Sequence, residues 1–178
     1  MYQPVLQFWF HEIKPAQWWK VDPEFGLLIA ERFGEVHGKA VRSELFEWRT
    51  SPAGRLAEVI VLDQFSRNIY RGDRRAFEAD PLALALAQEA VSVGADLQLA
   101  DEERSFLYMP YMHSESRLVH EAAERLFRQR ASKSSYEFEM KHKLIVDRFG
   151  RYPHRNEILG RESTPEETAF LTEPGSRF

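Results

Sequence analysis

Apolar residues recur along most of the chain at the spacing of one side of a helix. The first long segment with this period runs from residue 25 to residue 40, with charged residues mostly on its opposite side. Its apolar members are Phe25, Leu28, Ile29, Phe33, Val36 and Ala40. Residues 118–126 and 136–149 keep the same period, and no two segments alternate as neighbouring strands would. The pattern predicts an all-α protein.

Four helix starts share one local signal, a capping side chain followed by proline. The capping oxygen accepts free N–H groups of the first turn, and proline in the first helical position loses no hydrogen bond. The four pairs are Asp22-Pro23, Ser51-Pro52, Asp80-Pro81 and Thr164-Pro165, and Glu167 completes a capping box in the last. Gly94 and Gly150 stand where helices should end. The even spacing of the first three pairs favours stacked helical hairpins, although the later start does not keep it.

Length and composition narrow the class of protein. The 178 residues include 13 Phe, 6 Tyr and 4 Trp, enough apolar area for a core, so we expect a single α-helical domain at residues 1–178. The absence of cysteine excludes disulfides and thiolate catalysis. No apolar run is long enough to cross a bilayer and no secretory leader is visible, so we expect a cytoplasmic protein that does not bind membranes. A net charge of −4, mixed along the chain, argues against nucleic acid as a partner.

The segment from Arg55 to Gly72 is informative because a helix there would be apolar nearly all the way round. Such a helix is normally buried, so its polar side chains need partners. These side chains are Asp63, Gln64, Arg67, Asn68 and Arg71, and those four positions apart lie side by side. One interpretation is an Asp63–Arg67 ion pair that holds neighbouring helices together. The alternative is that the polar residues line an interior cleft and bind a ligand.

A second polar segment surrounds His113. Pro110 either bends or ends the helix before it, and Ser114 or Ser116 can cap the next helix. We therefore expect His113 beside a helix N-terminus, where the dipole favours the neutral imidazole and N–H groups can bind an anion. A neutral imidazole can act as a base. The alternative is a histidine that only satisfies local backbone groups or Glu115.

A third polar segment follows Gly150 and contains three arginines, a histidine and an asparagine. These residues are Arg151, His154, Arg155, Asn156 and Arg161. Guanidinium groups bind phosphate and carboxylate through paired hydrogen bonds. The segment therefore predicts a local basic surface that binds an anion, or alternatively a solvated loop without a ligand.

Motifs for common cofactors are missing. The sequence contains no Walker loop, no glycine-rich dinucleotide fingerprint and no nucleophile elbow. His120 and Glu124 lie on the same side of one helix, but no third ligand follows at a recognisable spacing. We therefore expect neither a metal nor a cofactor.

Several of these segments resemble the bacterial family called domain of unknown function 924. The matching segments are Val5–Phe10, Leu62–Gly72, Met109–Glu115 and Arg151–Asn156, which together span most of the chain. Ser66 stands where the family usually has proline, and Ser116 where an aspartate is common. The resemblance implies a tetratricopeptide-like superhelix of antiparallel helical hairpins, and it implies no established activity.

Three functions remain open at this point. The first is a binding module whose polar segments surround a small anionic molecule or a peptide carboxylate. The second is a metal-independent enzyme in which His113 is the general acid or base, Glu115 or Asp63 orients it, and Arg67 or Arg155 stabilises negative charge. The third is a structural scaffold whose ion pairs only hold helices together.

Overall fold

The computed structural model describes residues 1–177; Phe178, the last residue of the predicted domain, lies outside that range. Within it the α-helices are α1 (Gln3–Gln7), α2 (Pro23–Val41), α3 (Pro52–Ile60), α4 (Ser66–Ile69), α5 (Arg75–Glu78), α6 (Asp80–Ser92), α7 (Asp101–Met112), α8 (Arg117–Arg130), α9 (Lys133–Phe149) and α10 (Pro165–Phe170). Shorter 3-10 helices lie at Pro15–Trp18, Phe46–Thr50, Ala95–Gln98 and Pro153–Arg155, and π-helical turns at Phe8–Glu12 and Val61–Phe65. No β-strand occurs in residues 1–177, which confirms the all-α prediction. In the same residues, no helix combines the length and apolar character needed to span a membrane.

Local capping sets several of the helix ends, as the sequence predicts. Asp22, Ser51 and Thr164 each accept a hydrogen bond from a backbone N–H in the first turn of the helix that follows. Gly94 follows α6 and Gly150 ends α9, each in the left-handed conformation with a φ of 71°. Residues with a Cβ rarely adopt this conformation, so glycine favours chain reversal at both points.

The predicted cap at Asp80 is wrong. Helix α6 begins at Asp80 itself, and its side chain accepts no capping hydrogen bond. The carboxylate instead receives two hydrogen bonds from the guanidinium of Arg67 on α4. A paired, charge-assisted contact with a largely buried arginine is stronger than a single cap, which accounts for the difference.

The centre of the core is one continuous helical segment that runs from α3 through a π-helical turn to α4. Its fully buried side chains include Leu56, Val59, Ile60, Leu62 and Phe65, which confirms the prediction of a buried helix. Helices α2, α6 and α7 pack around this segment. Gly26 of α2 permits a close approach, because a Cβ at that position would lie 2.3 Å from the backbone oxygen of Asn68.

The later helices bring the C-terminal part of the chain to the end of α7. Helices α6, α7 and α8 each pack against the next one along the chain. After α9, the fully buried Tyr152 packs with Ile145 and Val146 in a small second cluster. The Tyr152 hydroxyl donates a hydrogen bond to the backbone oxygen of Met112. This contact places residues 152–155 beside His113, although they lie about forty positions apart in the sequence.

Candidate functional site

Asp63 lies at the centre of a buried polar network, on the π-helical turn between α3 and α4. Only 1% of its surface is exposed. Its carboxylate receives hydrogen bonds from His113 Nδ1 at 2.7 Å and Gln64 Nε2 at 2.6 Å, and Arg67 Nη1 lies 3.0 Å away. Burial opposes ionisation of Asp63, but the charge of Arg67 and the contact with His113 outweigh it and hold the pKa of Asp63 below its usual range. Asp63 is therefore a carboxylate that fixes both partners.

Arg67 joins Asp63 to a second carboxylate. Its Nη1 and Nη2 donate to the two oxygens of Asp80 at 2.8 and 2.9 Å, and Nη1 also donates to the backbone oxygen of Asp63 at 3.1 Å. Burial would lower the pKa of Arg67, but Asp63 and Asp80 raise it above its ordinary value. The predicted Asp63–Arg67 pair is confirmed. Asp80 is the network member that sequence reasoning missed, because the Asp-Pro pair indicated only a cap.

His113 is the C-terminal cap of α7, and it lies three residues before Ser116, one of the two serines predicted to cap the next helix. Pro110 lies within α7, which continues to Met112, and Ser116 caps α8. Burial and the charge of Arg67 lower the pKa of His113, although Asp63 opposes this shift. The lowered pKa favours the neutral ring that the sequence predicts.

The Asp63 contact also sets the tautomer of the His113 ring. The Asp63 carboxylate can only accept, so Nδ1 carries the proton and Nε2 of the neutral ring is an acceptor. No side chain among residues 1–177 is hydrogen-bonded to Nε2. The side chain keeps 15% of its surface exposed and lines a cleft.

Arg155 lies beside His113 with its guanidinium between two aromatic rings. The centre of the guanidinium is 4.7 Å from the Phe77 ring and 4.5 Å from the Tyr152 ring. Nη2 donates to the backbone oxygen of His113 at 3.0 Å, and Nη1 lies 3.6 Å from Asp80. Burial, followed by the charge of Arg67, lowers the pKa of Arg155. Among residues 1–177, Arg155 is therefore a buried cation with a single, long contact to a carboxylate.

The other predicted residues of the C-terminal segment are held by partners within the protein. Arg161 donates to Glu115 at 2.6 and 2.9 Å, so Glu115 does not orient His113, and that role falls to Asp63. The guanidinium of Arg151 forms a paired contact with Glu167 at 2.6 and 2.7 Å. Asn156 donates to Ser163 and Glu167. The His154 ring packs against that of Tyr152, with 5.6 Å between the ring centres.

The remaining predicted residues are Gln64 on the π-helical turn, Asn68 on α4 and Arg71 just after α4. Gln64 also contacts the sulfur of Met109 at 3.1 Å. Asn68 donates to the backbone oxygen of Gln64 at 2.9 Å, and Arg71 donates to the Asn68 side chain at 3.2 Å. None of these residues lines the cleft beside His113, so they support its floor from behind or lie outside it.

The cleft beside His113, called the His113 cleft below, has a volume of about 360 Å³. Its polar side chains include Asp80, His113, Ser114, Glu115 and Arg155. The volume lies at the lower end of the range typical of small-molecule sites. Among the predicted residues, His113, Glu115 and Arg155 line this cleft, whereas Arg67 and His154 do not.

The histidine considered as a metal ligand has other partners. His120 is fully buried and bonds to Glu139 at 2.7 Å, whereas Glu124 pairs with Arg128. The other ring nitrogen of His120 lies 2.8 Å from the backbone oxygen of Ser114. In the described part of the chain, no three His, Asp or Glu side chains form a group that could hold a metal ion.

A family model and a solved structure each match nearly the whole chain. The family model described as bacterial protein of unknown function, DUF924, matches residues 5–175. A solved structure of a protein of unknown function, ATU0120 from Agrobacterium tumefaciens, superposes with a TM-score of 0.91 and 36% sequence identity, covering 96% of each chain. No curated protein gives a match.

Proposed function

Because the chain belongs to the DUF924 family of bacterial proteins of unknown function, we propose its role from geometry: it binds a small organic anion in the His113 cleft. One observation carries the proposal. His113 Nε2 and the guanidinium of Arg155 border the same cleft, and neither is saturated by the described protein partners. A bound carboxylate or phosphate would give both groups a charge-assisted partner.

The charge balance of the network predicts how such an anion would bind. Around the floor of the cleft, and among residues 1–177, the arginines Arg67, Arg155 and Arg161 pair with the carboxylates of Asp63, Asp80 and Glu115. These six charges cancel one another while His113 is neutral. A bound anion would leave one uncompensated negative charge in a mostly buried site, which is costly. Protonation of His113 removes that cost. We therefore propose that the anion binds together with one proton.

This coupling gives the sign of the pH dependence. A bound anion favours the imidazolium form and raises the pKa of His113, so affinity should fall as pH rises between the pKa of the free protein and that of the complex. For one coupled proton, the affinity can change by at most about tenfold per pH unit. The groups that face the ring and share in this balance are Asp63, Arg67, Asp80 and Arg155, and the ring of His142 lies 6.4 Å away.

Isothermal titration calorimetry with acetate, benzoate and inorganic phosphate, between about pH 5 and pH 8, tests the proposal. We expect at least one anion to bind more tightly at the lower pH, with uptake of one proton. His113→Asn is the matched variant, since its amide N–H can still donate to Asp63 while the acceptor at the position of Nε2 is lost. This variant should lose the pH dependence. No binding by any of these anions, or an unchanged pH dependence in His113→Asn, would refute the proposal.

A second candidate function, proton transfer to or from the bound molecule, is favoured by the 2.7 Å contact between Asp63 and His113. A carboxylate that holds Nδ1–H orients the ring and makes Nε2 a better base. Arg155 would stabilise negative charge formed in the same cleft. Mass spectrometry of carboxylic and phosphate esters incubated with the protein tests this role. Turnover that disappears in His113→Asn supports it, and esters recovered unchanged count against it.

We also propose that α6 to α9 form a tetratricopeptide-like superhelix of hairpins. The packing of each helix against the next supports this arrangement. An experimental structure in which the successive helix pairs are not related by a constant rotation would count against it. A structural scaffold without ligand is the remaining alternative, and it predicts that no anion binds although substitutions in the network destabilise the fold.

A further inference from the structure

The walls of the His113 cleft are apolar, in contrast to its floor. The wall residues are Phe77, Pro81, Leu84, Pro110 and Leu159. Arg155 is only 6% exposed and therefore lies deep in the cleft, whereas Pro81 is exposed at the rim. A molecule that reached Arg155 would place the rest of its body against these walls.

The cleft continues outward into a shallow groove. Arg74 and Glu78 border both depressions, and Ile158 of the groove directly precedes Leu159 of the cleft wall. The charges along the groove are balanced locally, since Arg75 pairs with Asp73 at 3.0 Å and Arg74 lies 3.6 Å from Glu78. Among the described residues that line the groove, there is therefore no second uncompensated cation for another acidic group.

The carboxylates at the floor are also unavailable to polar groups on a ligand body. Asp80 is held by two hydrogen bonds from Arg67, and Glu115 by two from Arg161. Beyond the charged end of a ligand, the cleft thus presents hydrocarbon surface more than free hydrogen-bonding groups. Apolar contact is the main attraction that it can offer there.

We propose, on the basis of the anion site inferred above, that the ligand is an amphipathic monocarboxylic acid. Its carboxylate lies against His113 and Arg155, its hydrocarbon body lies along Phe77, Leu84 and Leu159, and its far end leaves through the groove at Arg74. Each methylene that becomes buried against the walls should strengthen binding about fourfold, from roughly 0.8 kcal/mol per methylene. The gain should stop once the chain reaches the open groove.

Calorimetric titration with acetate, butyrate, hexanoate and octanoate at one pH tests this inference. Affinity should rise steadily with chain length and then level off, while octylamine, which has the same hydrocarbon chain and a positive head group, should not bind. Equal affinities for acetate and octanoate would overturn the inference while leaving the anion site intact. The absence of binding by the whole series would overturn both.

Substitution of one wall residue separates this inference from nonspecific hydrophobic binding. Leu159→Ser should weaken octanoate binding severalfold and leave acetate binding unchanged. Leu97→Ser is the matched control, because Leu97 is 59% exposed and lies beyond the opposite end of α6. If Leu159→Ser does not fold, Pro81→Ser at the exposed rim replaces it. An equal loss of octanoate binding in Leu97→Ser, or no loss in either wall variant, contradicts the inference.

Discussion

Replacing Asp63 with asparagine tests whether this carboxylate anchors the polar network. Asp63→Asn keeps the shape of the side chain and removes its charge. In the protein the carboxylate contacts His113, Arg67 and Gln64 within 3.0 Å and has almost no contact with water. The substitution therefore weakens three contacts at once without creating a cavity.

The structure gives the expected size of the effect. Removing one partner of a buried ion pair typically costs about 3–5 kcal/mol because the other charge is left without compensation. In this variant Arg67 keeps its paired contact with Asp80, so its charge still has a carboxylate partner. The cost should therefore lie at the lower end, about 3 kcal/mol. A domain of this size loses about 2–4 °C of melting temperature per kcal/mol, which corresponds to roughly 6–12 °C.

Urea unfolding followed by tryptophan fluorescence measures this cost, since Trp9 is fully buried in the core. Glu58→Gln is a matched control, because Glu58 is also fully buried and is paired with Arg49 through two hydrogen bonds of 2.7 Å. Both variants should lose comparable stability, but only Asp63→Asn should alter anion binding. A loss below about 0.5 kcal/mol in Asp63→Asn, the size of an ordinary surface substitution, would refute the reasoning.

Three further predictions concern packing and pH. Gly26→Ala should destabilise the fold by about 1–3 kcal/mol through overpacking, because its Cβ would lie 2.3 Å from a backbone oxygen. Gly34→Ala in the same helix meets nothing within 4 Å and should stabilise the fold by about 0.5–1 kcal/mol, so similar melting temperatures for the two variants would contradict this contrast. Burial lowers the pKa of His142 to about 3 and that of His154 to about 4, so the unfolded chain binds protons at a higher pH than the folded protein does. As pH decreases from about 6.5, the free energy of unfolding measured in urea should therefore fall by about 1.4 kcal/mol per pH unit for each histidine. Constant stability down to about pH 5 would exclude this effect. The hydrogen bond from Arg151 lowers the pKa of Glu167 to about 2, so the stability that this carboxylate contributes should be lost as pH falls below about 4.5. Glu167→Gln should remove that part of the acid sensitivity in the same urea assay.

The sequence alone predicts several of the long helices, because the signals for helix ends act within one turn. A capping oxygen at Asp22 or Ser51 reaches an N–H only two or three residues away, and a left-handed glycine such as Gly150 ends a helix through its own backbone. The buried helix around Asp63 and its pair with Arg67 could be predicted for the same reason, since residues four apart always lie close on a helix.

Which polar groups lie together around the His113 cleft depends on how the helices pack. His113 and Asp63 are 50 positions apart in the sequence. Asp80 binds Arg67 instead of capping its helix because packing places the two side chains within 3 Å. The same packing pairs Glu115 with Arg161 and, among residues 1–177, leaves Arg155 with one long carboxylate contact. The partner of a charged group on another helix is set by the distance between the groups and by their burial. Distance and burial depend on how the helices pack rather than on any local sequence signal.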